Sequence, residues 1–118
     1  MKKKAIIISI KGYKLTKKEN ELLVREKPWG LIIFKRNIKS WSQIKTLIKS
    51  IRNSTKDPKF PIMIDEEGGA VTRLNNLINF NFYNKFFGEI YKYDPKTSIS
   101  SYGKYSRKIA STLKLIGI

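Results

Sequence analysis

Phe60-Pro-Ile-Met-Ile-Asp-Glu-Glu-Gly-Gly-Ala-Val-Thr-Arg-Leu74 is the stretch on which the fold turns. Its apolar opening, residues 60–64, stops abruptly at three carboxylates, Asp65, Glu66 and Glu67. Brief β-branched runs of this kind are buried strands of α/β proteins, and ligand groups gather where such strands end. Gly68 and Gly69 then permit backbone angles closed to other residues and let the main chain approach a ligand closely. Arg73 follows, returning from the turn toward Asp65. An acid that accepts and a guanidinium that donates suit a neutral polyol better than either charge alone. The same pair also serves a purely structural end, closing a strand-to-turn corner.

Upstream, the pattern alternates. Residues 5–10 are apolar, rich in isoleucine, and ended by Lys11-Gly12, which reads as a strand. Thr16-Lys-Lys-Glu19 has capping-box spacing, Leu22, Leu23 and Val24 supply an apolar stripe, and Pro28 closes that helix. Residues 29–34 read as a second buried strand before the polar Lys35-Arg36-Asn37. Ser40-Trp-Ser-Gln43 is another capping-box match, followed by Ile44, Leu47, Ile48 and Ile51 at helical spacing with lysines opposite. Residues 60–64 make the third strand. Short buried strands alternating with amphipathic helices predict right-handed crossovers and a parallel sheet. Beyond Leu74, residues 80–91 hold many aromatics and a short helix ending near Asp94-Pro95. Those aromatics are expected to pack a core and cover the sheet edge. Residues 98–115 predict a longer helix, with Gly103 as its weak point and Gly117 as its end.

Composition narrows the function. A chain of 118 residues with 41% hydrophobic content suits one domain with a real core. It has no cysteine and no histidine. Disulfides and thiolate metal sites are thereby excluded, and a reducing, cytoplasmic setting is expected. Any acid–base chemistry here must use Asp, Glu, Lys or Tyr, because the commonest group for it is absent. No apolar stretch is long enough to span a bilayer, and the run after residues 2–4 is too short for a signal peptide. No membrane partner is expected.

The formal charge of +16 invites a nucleic-acid reading. Distribution opposes it, since Lys17, Lys18, Lys39, Lys45, Lys49, Lys92 and Lys108 are scattered rather than clustered. Arginine, the better reader of phosphate and base edges, occurs only five times. Scattered lysines are the mark of a solvated surface. A small basic module binding nucleic acid or another anionic polymer stays as the alternative reading.

Several segments together resemble one family, the bacterial β-N-acetylhexosaminidases of glycoside hydrolase family 3. They are Gly12-Tyr-Lys-Leu-Thr16, Pro28-Trp-Gly-Leu-Ile-Ile-Phe-Lys-Arg-Asn37, Gln43 with Ile51-Arg52, and Ile64-Asp-Glu-Glu-Gly-Gly69 with Val71 and Arg73. Residues 113–118 are similar to the family's helix end before its next strand. The resemblance implies an α/β fold, the N-terminal part of a (β/α)8 barrel, incomplete because such barrels typically need about 250 residues. Residues 1–118 are accordingly expected to be a partial catalytic barrel domain.

The resemblance implies a retaining hydrolase that releases terminal N-acetylglucosamine from β-linked glycosides, cell-wall muropeptides among them, without a cofactor. It places the aspartate nucleophile and histidine acid–base in segments beyond Ile118, so the isolated chain is expected to be inactive. Asp65 and Arg73 match family positions that bind the sugar. Arg36, Asn37, Glu67, Gly68 and Gly69 are candidates for lining the cleft, with a strand-end clasp as the competing role for Arg36 and Asn37. Glu66 and Glu67 diverge on an extended segment and have no third ligand beside them, so no metal is expected. Two departures from the family stand out. Ala70 occupies a position where a long basic residue is common, and the segment after Leu74 lacks an expected proline.

Overall fold

The computed structural model describes residues 2–79 and 82–118. Among the described residues three strands and four α-helices follow one another, β1 (Lys4–Ile8), α1 (Lys17–Glu26), β2 (Pro28–Ile33), α2 (Trp41–Thr55), β3 (Ile62–Ile64), α3 (Asn84–Tyr93) and α4 (Pro95–Ile116), with a short 3-10 turn, Lys35–Asn37, between β2 and α2. The strands form one parallel sheet in the order β1-β2-β3. The architecture is thus mixed α/β, three parallel strands with four helices.

Both helices between strands start where sequence chemistry places them. Thr16 Oγ1 accepts from the Glu19 amide at 3.2 Å, and the Glu19 carboxylate accepts from the Thr16 amide at 2.8 Å, completing the capping box. The same carboxylate takes the Lys11 amide at 2.7 Å, tying the β1–α1 loop to the helix start. At Ser40 only half of the expected box forms. Ser40 Oγ caps the Gln43 amide, but Gln43 Oε1 accepts from Lys39, one residue before the cap. Gln43 Nε2 is drawn away to the carbonyls of Tyr13 and Asn37, which fixes its side chain in that direction.

The core lies on one face of the sheet. Leu31 and Ile33 of β2 and Ile62 of β3 meet Ile44, Leu47, Ile48 and Ile51 of α2 and Leu23 of α1. Full burial of each such side chain contributes about 1.5–3 kcal/mol. Strand alternation puts Ile7, Gly30, Ile32 and Met63 on the other face. There Ile7 keeps 50% of its surface exposed and Ile32 and Met63 are only partly covered. Contrary to the expectation of uniformly buried strands, β1 is exposed along most of its length, with Ile6 and Ile7 about half open.

Strand ends are trimmed for identifiable reasons. Residues 9 and 10 leave β1 because the Ile10 carbonyl is taken by side chains, Arg36 Nε at 3.1 Å and Asn37 Nδ2 at 3.0 Å. Phe34 leaves β2 because its amide donates to Asn37 Oδ1 at 2.9 Å. β3 begins at Ile62 because the Phe60 amide is held in a turn by Asp57 and Pro61 has no amide to give.

The last two helices form a hairpin. Asp94 ends α3 and caps α4, its carboxylate accepting from the Thr97 amide at 3.0 Å, with Pro95 at the first helical position. That junction starts α4 before residue 98, and the helix runs through Gly103 without a break. Ile109, Leu113 and Ile116 dock its final turns on the core. Phe82 just before α3, Phe86 and Phe87 on α3, and Tyr102 and Tyr105 on α4 contact one another, an aromatic cluster that holds the two helices together. Position 80 of that aromatic run lies outside the described residues. The hairpin lengthens the molecule to 54 × 29 × 21 Å, with a radius of gyration of 16.8 Å. A compact chain of this length has about 13–14 Å.

Candidate sugar-binding rim

Because all strands are parallel, their C-terminal ends share one rim. The residues that immediately follow β1, β2 and β3 there are Ser9, Phe34 and Asp65. Register places Ile33 beside Ile64, so Phe34 and Asp65 leave the sheet side by side.

Arg73 returns to this rim and grips Asp65 side-on. Nε donates to Oδ1 at 3.0 Å and Nη2 to Oδ2 at 2.9 Å, the fork geometry particular to arginine. Hydrogen bonding from Arg73 holds the Asp65 carboxyl below its ordinary range, and the pairing pushes the Arg73 guanidinium further up. Both stay charged at neutral pH. The fork uses Nε and one Nη2 hydrogen, which leaves both Nη1 hydrogens and the second Nη2 hydrogen for a ligand. Asp65 keeps spare lone pairs and 37% of its side chain open, so it can accept from hydroxyls.

The loop delivering Arg73 is clamped at its base. Glu66 Oε2 accepts from the backbone amides of Arg73 at 2.7 Å and Leu74 at 3.2 Å. Glu67 and Val71 add a backbone bond at 3.0 Å across the turn. Gly68 and Gly69 sit at φ 79° and 60°, the left-handed region that favours glycine. Glu66 therefore acts as a loop clamp, a role the sequence did not signal.

The other candidates divide. Arg36 reaches the rim, donating through Nε to Ile10 O and through Nη2 to Ser9 Oγ at 3.0 Å, while its guanidinium lies 4.6 Å from the Phe34 ring centre. Asn37 does not line a cleft. It is fully buried and clasps strand ends, donating to Ile10 O and to Gly12 O at 2.9 Å while accepting from Phe34. Gly68 and Gly69 have their own chain packed on the side where a side chain would stand. A methyl on Gly68 meets the Phe82 carbonyl, and one on Gly69 meets the Tyr83 ring, so their close approach is to their own chain. Glu67 faces a separate cavity of about 240 Å³ shared with Glu66, Asn84, Tyr102, Tyr105 and Ser106. Among the described residues no group of three or more Asp, Glu, His or Cys could hold a metal ion. Phe34 was missed at the sequence level, since its apolar character reads as strand.

No family model matches the chain. It is 44% identical over 68 residues to a β-hexosaminidase of Glaesserella parasuis, covering 58% of this chain and 20% of that protein. With a β-hexosaminidase of Xanthomonas campestris it shares 27% identity over 113 residues, 96% of this chain and 34% of the other. In three dimensions it is similar to NagZ from Neisseria gonorrhoeae crystallised with a zinc ion, with a TM-score of 0.90 and 27% identity over 98% of this chain and 35% of that one. The same enzyme in complex with N-trifluoroacetyl-D-glucosamine matches with a TM-score of 0.88. The chain spans between a fifth and about a third of the length of these relatives. In sequence and in fold it resembles a part of the family 3 β-N-acetylhexosaminidases.

Proposed function

We propose that this chain forms part of the sugar pocket of a retaining β-N-acetylhexosaminidase, within a (β/α)8 barrel whose strands β1 to β3 it supplies. The observation that carries the reading is the Asp65–Arg73 fork at the C-terminal rim of a parallel sheet, where barrel enzymes bind their ligands. It is supported by the similarity to a neighbour crystallised with an N-acetylglucosamine analogue. Asp65 accepts hydrogen bonds from ring hydroxyls and Arg73 donates to sugar oxygens. The substrate is a glycoside with a terminal, β-linked N-acetylglucosamine, cell-wall muropeptides among them, and the setting is the cytoplasm.

These residues bind rather than cleave. A retaining glycosidase sets a carboxylate nucleophile and a proton donor about 5–5.5 Å apart. Asp65 is committed to Arg73, which makes it a poor proton donor, and Glu66 is committed to the Arg73 and Leu74 amides. With no histidine in the sequence, the proton donor that the family resemblance implies is not among these residues.

Two assays on the purified chain test this. Calorimetric titration with N-acetylglucosamine is expected to show binding that persists at high salt, and a chromogenic β-N-acetylglucosaminide is expected not to be hydrolysed. Steeply salt-dependent binding to RNA or DNA without sugar binding would instead favour the basic-module reading. Release of the chromophore by the chain alone would overturn the division of labour.

A further inference from the structure

We infer that Phe34 is a positioning residue for Arg73, an inference that rests on the sugar-pocket reading and assigns the ring a specific part in it. Phe34 is partly exposed and does not belong to the apolar core cluster, so filling the interior is not its role. Two guanidinium groups share its ring instead, Arg36 at 4.6 Å and Arg73 at 5.6 Å from the centroid. Each is anchored independently. Arg36 is held by Ser9 and the Ile10 carbonyl, and Arg73 by Asp65.

A continuous row of contacts therefore runs Ser9, Arg36, Phe34, Arg73, Asp65, joining the residues that follow all three strands. An aromatic face attracts a cation through its quadrupole. The fork to Asp65 fixes the guanidinium relative to that carboxylate, which keeps 37% of its own side chain open. The Phe34 ring supplies a second, independent contact that fixes where the guanidinium lies. It also sets an apolar, polarisable surface beside two like charges on neighbouring strand ends. Arg73 thereby meets a sugar with its remaining N–H groups already oriented.

The decisive experiment replaces Phe34 in the 118-residue chain with 3,4,5-trifluorophenylalanine, which keeps the ring's shape and weakens its negative face. Phe34→Tyr serves as the rescue and Phe34→Leu as the deletion. The readout is the Arg73 Nε–H resonance by NMR: its ring-current displacement, and its exchange rate with water. Exchange is expected to speed up about fivefold in the fluorinated chain and to stay at the parental rate in Phe34→Tyr. N-acetylglucosamine affinity should fall by about the same factor in the fluorinated chain, with circular dichroism unchanged. An Arg73 exchange rate identical in the parent and fluorinated chains would overturn the inference, whatever Phe34→Leu does to folding. If the parent binds no sugar, the pocket proposal fails, while Arg73 exchange still decides whether Phe34 positions it.

Discussion

Arg73 and Asp65 lie eight residues apart in sequence and meet edge to edge over the end of β3, joined by hydrogen bonds of 3.0 and 2.9 Å. The match depends on guanidinium geometry, not on charge alone. Arg73→Lys keeps the charge but presents a single ammonium that cannot fork a carboxylate. Charged hydrogen bonds contribute about 1.5–3 kcal/mol each, so N-acetylglucosamine affinity is expected to fall about tenfold or more in Arg73→Lys. Isothermal titration of the folded variant checks this, and parental affinity would mean Arg73 does not touch sugar.

The turn that returns Arg73 has no room for a side chain. Gly69 combines φ 60° with the Tyr83 ring packed against its α-carbon. Gly69→Ala is expected to destabilise the chain by about 1–3 kcal/mol, through backbone strain and displacement of that ring. Gly12 has open space around it and an unexceptional φ, so Gly12→Ala serves as the tolerated control. Urea denaturation of the two variants measures the difference.

Asn37 holds two strand ends with three hydrogen bonds from a fully buried position. Removing it leaves the Phe34 amide and the Gly12 carbonyl without their Asn37 partner, while Ile10 O keeps Arg36, so Asn37→Ala is expected to cost about 2–4 kcal/mol. Arg36→Ala, losing an exposed rim side chain that shares only the Ile10 carbonyl with Asn37, should cost about 1 kcal/mol. Equal losses in the two would refute the distinction between clasp and rim.

Stability is expected to fall in acid. Glu26 is pulled down to about 2 by hydrogen bonds from Lys4 and then Arg25, and Asp65 is lowered by Arg73. A carboxylate with a depressed folded pKa stabilises above its unfolded value and loses that contribution as pH falls through the folded one. The Glu26 contribution is therefore complete above its ordinary 4.5 and is lost on descending toward 2. A melting temperature that declines over this interval, with a shallower decline in Glu26→Gln, is the expected result. An unchanged slope in Glu26→Gln would contradict it.

Self-association should depend on salt. One sheet face leaves Ile7 half exposed, β1 presents an unpaired edge, and the chain carries a formal +16. Repulsion between copies reaches about 30 Å at 0.01 M salt and only about 10 Å at 0.1 M. Sedimentation is expected to show monomers at low ionic strength and association as salt rises, with Ile7→Lys suppressing it. Salt-independent monomers would show that the open face is not sticky.

The alternation of strand and helix was legible because each element carries its own local signal. Thr16-x-x-Glu19 caps α1 as read, and Ile44, Leu47, Ile48 and Ile51 form the buried stripe of α2. The convergence of Asp65 and Arg73 was legible too, since a strand end followed by two glycines brings the chain back on itself. Tertiary partners decided what was missed. Gln43 bonds Tyr13 and Lys39 in preference to completing a cap, and no local pattern encodes that choice. Glu66 received no role from the sequence, because the amides it clamps lie seven and eight residues downstream. Phe34 was legible as part of the Phe-Lys-Arg-Asn strand end but not as an arginine partner, because Arg73 reaches its ring from the loop after β3.

The most direct test of the sugar pocket is an NMR titration of the isotope-labelled 118-residue chain with N-acetylglucosamine. Saturable shifts are expected at the Arg73 side chain and at the backbone of residues 34, 65 and 66, and they should vanish in Asp65→Asn. Shifts absent from these positions, or unaltered by Asp65→Asn, would contradict a sugar held at this rim.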